Sequence, residues 1–243
     1  MNSDFHDKES TTASFNELKK LLKFLDDLGV PHPTITGGWA VYGYEGGLGS
    51  RDIDIVMVTE EDAIQHLYDN YFPAYSFKEK KIGFFPDHWE KIVQTNDGPR
   101  DIIVDVFYGN KNWKDEVNLG LTFSWGWTLQ FQEKRTIDDL PIIIPKRELL
   151  IITKMMAGVA RMKMNDISPH YRLPPKILKD YGDVARLTIG KGIDTEFYKE
   201  YLEKSNAVQY VDSFLTKYKQ DEYSGILNDL NSTYDEIESI LKI

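Results

Sequence analysis

The chain has 243 residues, 41% of them hydrophobic and 13% aromatic, which suits one large or two modest globular domains and excludes a disordered chain. Its formal charge of -10 argues against non-specific binding to duplex DNA, whose affinity comes from Lys and Arg on phosphates. With no cysteine, no apolar h-region in the leading MNSDFHDKESTTAS and no apolar run near the ~18 residues of a membrane span, disulfide frameworks and thiolate zinc are excluded; the expectation is a cytoplasmic protein without a membrane segment.

Residues 1–14 read as frayed. Ser14, with Glu17 three residues on, reads as a capping box opening a helix, with Leu18, Leu21, Leu22, Leu25 and Leu28 at helical spacing and Gly29 and Pro31 as its stop. Ile35 leads into Gly37-Gly38, and a second helix is expected over Trp39 to Tyr44, its first amides facing the site. A strand over Ile53 to Val58 follows, then a short helix from Thr59 and Asp62 to about Asn70. Four strand-like runs come next: Ala74 to Lys80, Ile82 to Phe85, His88 to Gln94 and Asp101 to Tyr108, with turn signals at Phe85-Pro-Asp87 and Asn96-Asp-Gly-Pro99. Further strands are expected at Trp127 to Gln132 and Ile142 to Ile144. Beyond Pro145 the pattern is helical, over about 146–163, 174–189, 194–203, 206–218 and 222–241. The expected fold is α+β: a mixed β-sheet with flanking helices over 1–145, and a helical domain over 146–243.

The chemistry concentrates in GGWAVYGYEGGLGSRDIDIVM, residues 37–57. Alternate side chains of a strand leave on one face, so Asp52 and Asp54 emerge together, about 6.6 to 7 Å apart, while Ile53 and Ile55 point the other way. Two carboxylates crowded on one face of an apolar strand repel and desolvate each other, a cost that a hard cation such as Mg²⁺, or Mn²⁺ in its place, removes. Asp105 is a third carboxylate, isolated among Val104, Val106 and Phe107; it reads as a metal ligand or as the base that accepts a hydroxyl proton. Asp101 lies on the same strand face but at the polar start of its run. Gly37 and Gly38 read as the backbone cradle of a phosphate, and Arg51 as a phosphate contact or a partner of an acidic neighbour. The histidines show neither His-x-His nor HExxH spacing, which leaves zinc chemistry without support.

Gly37-Gly38, thirteen intervening residues, Asp52-Ile-Asp54 and a later lone Asp in a strand resemble the polymerase-beta-like nucleotidyltransferase superfamily. Within it, GGWAV with Arg51 and DIDI resembles the small lincosamide and aminoglycoside nucleotidyltransferases, whereas Lys154, Arg161 and Lys179-Asp180-x-x-Asp183 resemble the AbiEii-type abortive-infection enzymes. The resemblance implies transfer of an NMP from an NTP to an acceptor hydroxyl, with Asp52, Asp54 and Asp105 as metal-binding and catalytic residues. It also implies a triphosphate-facing Lys154, aided by Arg161, with the Lys179–Asp183 run packed against the Lys154 helix. Residues 146–191 carry ten basic and four acidic groups, the only positive block in the chain. The acceptor stays open among a small molecule, a tRNA end and a protein. The competing expectation is a catalytically idle nucleotide-binding or toxin-antitoxin-type interaction module on the same fold.

Overall fold

A computed structural model of the chain describes residues 8–47, 49–58, 61–80, 87–96, 98–190 and 192–242. The expected strand at Ile82 to Phe85 lies outside them. Packing divides the chain into two units, Met1–Asn112 with Ser124–Pro145, and Trp113–Phe123 with Lys146–Ile243.

The first unit opens with helix α1 (Lys8–Asp27), followed by β1 (Thr34–Thr36), α2 (Gly37–Glu45) and β2 (Asp52–Met57). Next come α3 (Glu61–His66), which runs through one π turn into α4 (Phe72–Ala74), and the strands β3 (Lys78–Glu79), β4 (Asp87–Thr95) and β5 (Gly98–Tyr108). Helix α5 (Trp125–Gln130) and strands β6 (Gln132–Ile137) and β7 (Leu140–Pro145) complete it. Among the described residues these strands form one seven-stranded sheet, in the order β3-β4-β5-β2-β1-β7-β6. Strand β2 runs parallel to β5 and antiparallel to β1, and β1 runs parallel to β7, so the sheet is mixed as expected.

The alternation of β2 and β5 decides what each face does. Ile53, Ile55, Ile102, Val104 and Val106 are fully buried on one face, whereas Asp52, Asp54 and Asp105 are only partly covered on the other. Helix α1 packs on β2, β4 and β5, and Leu18, Leu21, Leu22 and Leu25 form its buried stripe. Each such leucine contributes about 1.5–3 kcal/mol.

That helix starts six residues earlier than the Ser14 capping box suggested. Ser14 and Glu17 lie inside the helix and face inward: the Ser14 hydroxyl accepts a hydrogen bond from the Trp39 indole (3.1 Å), and Glu17 takes the ammoniums of Lys20 (2.8 Å) and Lys91 (2.9 Å). The expected strand at Ala74 to Lys80 shrinks to two residues because Phe72 and Phe77 turn into an aromatic core with Tyr71 and Trp89. The expected strand at Trp127 to Gln132 is the helix α5, capped by the Ser124 hydroxyl, which accepts from the Gly126 amide.

The second unit consists of α6 (Arg147–Ile167), α7 (Leu173–Ile189), α8 (Thr195–Lys204), a 3-10 turn at Val208–Tyr210, α9 (Val211–Lys217), α10 (Asp221–Asp229) and α11 (Tyr234–Leu241). The single helix expected over 222–241 is two, because Asn231 takes a left-handed φ of 51° and Thr233 begins a new capping box with Glu236. Tyr181 of α7 stacks on Phe214 of α9 with ring centroids 3.9 Å apart. Residues 113–123 belong to this unit through Thr122 N–H to the Ser205 carbonyl (3.0 Å) and the Tyr210 hydroxyl to the Leu119 carbonyl (2.5 Å). No helix among the described residues is long and apolar enough to cross a membrane.

Candidate active site

Strands β2 and β5 bring the sequence-predicted carboxylates together. Asp54 and Asp105 are register partners on adjacent parallel strands, and Asp52 lies opposite Ile103, one side-chain repeat back along the same face. Neighbouring strands lie about 4.8 Å apart, so Asp54 and Asp105 are side-by-side anions. Asp101 shares their face but stands beyond the paired stretch of β2 and pairs with Ile92 of β4.

Gly37 ends β1 and starts α2 with φ +62°, which a residue with a side chain rarely adopts. A Cβ there would lie 1.9 Å from Asp54 Oδ2. Glycine is therefore required twice over, by backbone conformation and by the carboxylate pressed against it. Thr36, the residue before the helix, makes no side-chain capping hydrogen bond. Gly37, at the helix start, lies against Asp54 of the acidic strand. Such a helix start favours an anion.

Asp52 Oδ1 is buried and accepts no hydrogen bond among the described residues; the nearest cation is Arg51, with Nε 3.6 Å away. Of the two readings of Arg51, this geometry brings out the acidic neighbour. Asp105 is held differently. Its Oδ1 lies 2.7 Å from Nδ1 of His88, the residue directly opposite on β4, and this hydrogen bond raises the His88 pKa against the opposing pull of burial. No metal-ligand spacing in the sequence marks His88. A signal for it exists in the turn: Thr95 faces Gly98, and counting back along the hairpin sets His88 against Asp105.

No three His, Cys, Asp or Glu side chains among the described residues converge into a set that could hold a metal ion. What fits a hard divalent cation is the donor chemistry of β2: two all-oxygen ligands, Asp52 and Asp54, one with a buried unsatisfied oxygen and the other in the glycine cradle. Asp105 is turned toward His88.

On the opposite face, the carboxylate of Asp87 accepts hydrogen bonds from the hydroxyls of Tyr68 and Tyr108, which lie 2.5 Å from each other. Burial and Asp87 push the Tyr108 hydroxyl up to about 12. These groups brace β4 and β5 from behind the acidic face.

The remaining predicted residues lie in the second unit. Lys154 of α6 is buried, with its ammonium 2.7 Å from Asp183 and 3.7 Å from Asp180 of α7. Arg161 is ion-paired with Asp180; Lys179 lies 3.2 Å and Arg186 3.8 Å from Asp183. Burial alone would raise the Asp183 carboxyl, but Lys154 and Lys179 outweigh it and hold it down at about 2. Burial likewise pulls the Lys154 ammonium down, and Asp183 and Asp180 reverse that to a net rise, whereas for Lys179 burial prevails. The expected packing of the Lys179–Asp183 run on the Lys154 helix is thus an ion-pair lattice of four basic groups and two carboxylates.

Among solved structures, the antibiotic-resistance factor ANT(2'')-Ia matches with a TM-score of 0.50 at 15% identity, covering 86% of this chain and 100% of its own. An antigenic nucleotidyltransferase-like protein from Paracoccidioides brasiliensis matches at 0.49 and 17% identity over 98% of this chain and 94% of its own. JHP933 from Helicobacter pylori matches at 0.43 and 14% identity over 97% and 91%. No protein-family model and no curated protein matches the chain. At these identities the likeness to ANT(2'')-Ia is one of fold alone, and the fold here is α+β, a mixed sheet with flanking helices.

Proposed function

We propose that the chain is a Mg²⁺-dependent nucleotidyltransferase that moves an NMP from an NTP to an acceptor hydroxyl and releases pyrophosphate. The observation that carries this reading is the placement of Asp54 and Asp105 in register on parallel strands, with Gly37 pressed onto Asp54 at the start of a helix. Asp52 and Asp54 would hold the metal, which when bound neutralises charge on the phosphates. The amides of Gly37 and Gly38 orient the phosphate chain, and Arg51 adds positive charge beside them. Asp105 takes part either as a further ligand or as the base for the acceptor hydroxyl. Lys154 and Arg161 remain nucleotide-binding candidates on charge alone, since their lattice holds four basic groups against two acidic ones. For the acceptor, a small molecule, a tRNA end and a protein side chain all supply the hydroxyl this chemistry needs.

A second reading, an idle nucleotide-binding or toxin-antitoxin-type module, draws on one observation: no three metal-ligating side chains converge among the described residues. One experiment separates the two. Each radiolabelled NTP is incubated with the protein and a cell extract as acceptor source, with Mg²⁺ and with EDTA. Metal-dependent label transfer that Asp54→Asn abolishes supports the enzyme; metal-dependent binding without transfer supports the idle module.

A further inference from the structure

We propose that His88 is a positioning residue that clamps Asp105 through Oδ1 and reserves Oδ2 for the proton of the attacking hydroxyl, which makes Asp105 the base of the reaction. The inference rests on the nucleotidyl-transfer reading. It decides between the two roles open to Asp105.

The geometry begins with the hairpin. His88 and Asp105 are direct partners across the antiparallel pair β4–β5, so both side chains leave on the acidic face with no freedom to drift apart. Nδ1 and Oδ1 are 2.7 Å apart, and the His88 side chain is only 11% exposed. Nδ1 can donate to Oδ1 in the neutral Nδ1–H tautomer and in the imidazolium alike, so the clamp does not depend on how His88 titrates. Asp105 Oδ2 makes no hydrogen bond among the described residues, and the Asp105 side chain is 24% exposed. One oxygen is fixed and the other is free and reachable. A carboxylate held in this way keeps its charge and presents a single oriented oxygen.

On Asp52 the pattern is reversed. Asp52 Oδ1 lacks any hydrogen-bond donor, and Asp54 faces the glycine cradle. The division of labour follows. The β2 pair serves the nucleotide side; Asp105 serves the acceptor side. In the transfer, the acceptor oxygen forms its bond to the α-phosphorus as its proton passes to Asp105 Oδ2. The bond from the α-phosphorus to the α–β bridging oxygen breaks, and its electron pair leaves with pyrophosphate. His88 keeps its hydrogen bond to Oδ1 throughout and exchanges no proton.

The test compares wild type with His88→Leu, His88→Asn, Asp105→Asn and the double variant His88→Leu/Asp105→Asn. Each is measured for turnover of the NTP that wild type uses, with the extract fraction that accepts label, and for Mn²⁺ affinity by electron paramagnetic resonance. His88→Leu should lower kcat about 10- to 100-fold while the KM for NTP and the Mn²⁺ affinity stay within about twofold. His88→Asn, whose amide nitrogen can stand where Nδ1 does, should recover to within about fivefold of wild type. In the Asp105→Asn background, His88→Leu should cost less than about twofold. A comparable loss of Mn²⁺ affinity in His88→Leu would make Asp105 a metal ligand and overturn the proposal, as would unchanged kcat or additive losses in the double variant. If the leucine variant does not fold, His88→Ser, whose hydroxyl stops short of Oδ1, takes its place with the same expectations. Wild type without turnover on any NTP sinks the transferase reading itself, and the proposal with it; wild-type turnover with an indifferent His88 sinks the proposal alone.

Discussion

Two groups of aspartates do opposite things in this chain. Asp180 and Asp183 on α7 are buried and answered by Lys154, Arg161, Lys179 and Arg186, so the unit itself neutralises them. Asp52 on β2, beside Asp54, has only Arg51 at 3.6 Å for a cation among the described residues, and its Oδ1 is buried without a donor there. A carboxylate whose charge is balanced by its own fold is a structural element. One whose charge is left over is an invitation to an external cation, and folding has borne the cost in advance.

The largest test of this contrast is removal of one partner in the lattice. Asp183→Ala leaves Lys154 buried without its nearest counter-charge and should destabilise the second unit by roughly 3–5 kcal/mol, read as a fall in the denaturant midpoint of helical signal. An effect no larger than that of a surface pair would break the comparison. In the sheet, Asp105→Asn should instead leave stability nearly untouched and lower turnover at least ~10²-fold, whereas Asp101→Asn changes turnover much less. The reverse ranking in steady-state kinetics would move the third carboxylate to Asp101.

Acid sharpens the contrast further. The Asp183 carboxyl is held at about 2, below its ordinary 3.8, so its contribution is fully present above pH 3.8 and is lost as pH falls through about 2. Circular dichroism of the second unit should therefore hold through pH 4 and lose roughly 2 kcal/mol of stability only in strong acid. The smallest effect belongs to Asp52→Asn. Without metal it should leave the melting temperature equal or slightly raised, because one of two repelling charges is gone. With Mg²⁺ it should abolish the upward shift in melting temperature expected of wild type. Equal Mg²⁺ stabilisation of wild type and variant in a thermal melt would remove Asp52 from the metal site.

What the sequence revealed follows from how local each signal is. The Asp-x-Asp strand and the lone Asp105 were legible because period-two alternation in Ile, Val and Phe declares which side chains share a face. Gly37 was legible as a glycine, but its collision with Asp54 is a fact of tertiary approach that no local pattern carries. Ser14 and Glu17 imitated a capping box because two inward polar residues at that spacing look the same whether they cap a helix or meet Trp39 and Lys91 inside the fold. The run Trp127 to Gln132 imitated a strand, although Ser124 carries the stronger signal as a helix cap. The break at Asn231 was legible in Thr233-x-x-Glu236 and was overridden by the apolar periodicity on either side. His88 needed pairing arithmetic, which only the hairpin turn supplies.

That turn has a consequence for which length variants the gene can tolerate. Exposed hairpin tips are ordinarily where single-residue insertions and deletions are accepted, since little packs against them. Here the stretch from Thr95 back to His88 is seven residues, roughly 23 Å of strand, and every pairing along it is counted from the tip. One residue more or less at the Asn96 end would carry His88 to the far side of the sheet and bring a different side chain opposite Asp105. The tip thus works as a spacer of fixed length, and Gly98, at φ 104°, and Asn96, whose backbone N–H donates to Glu9 (2.6 Å), constrain its letters as well as their number.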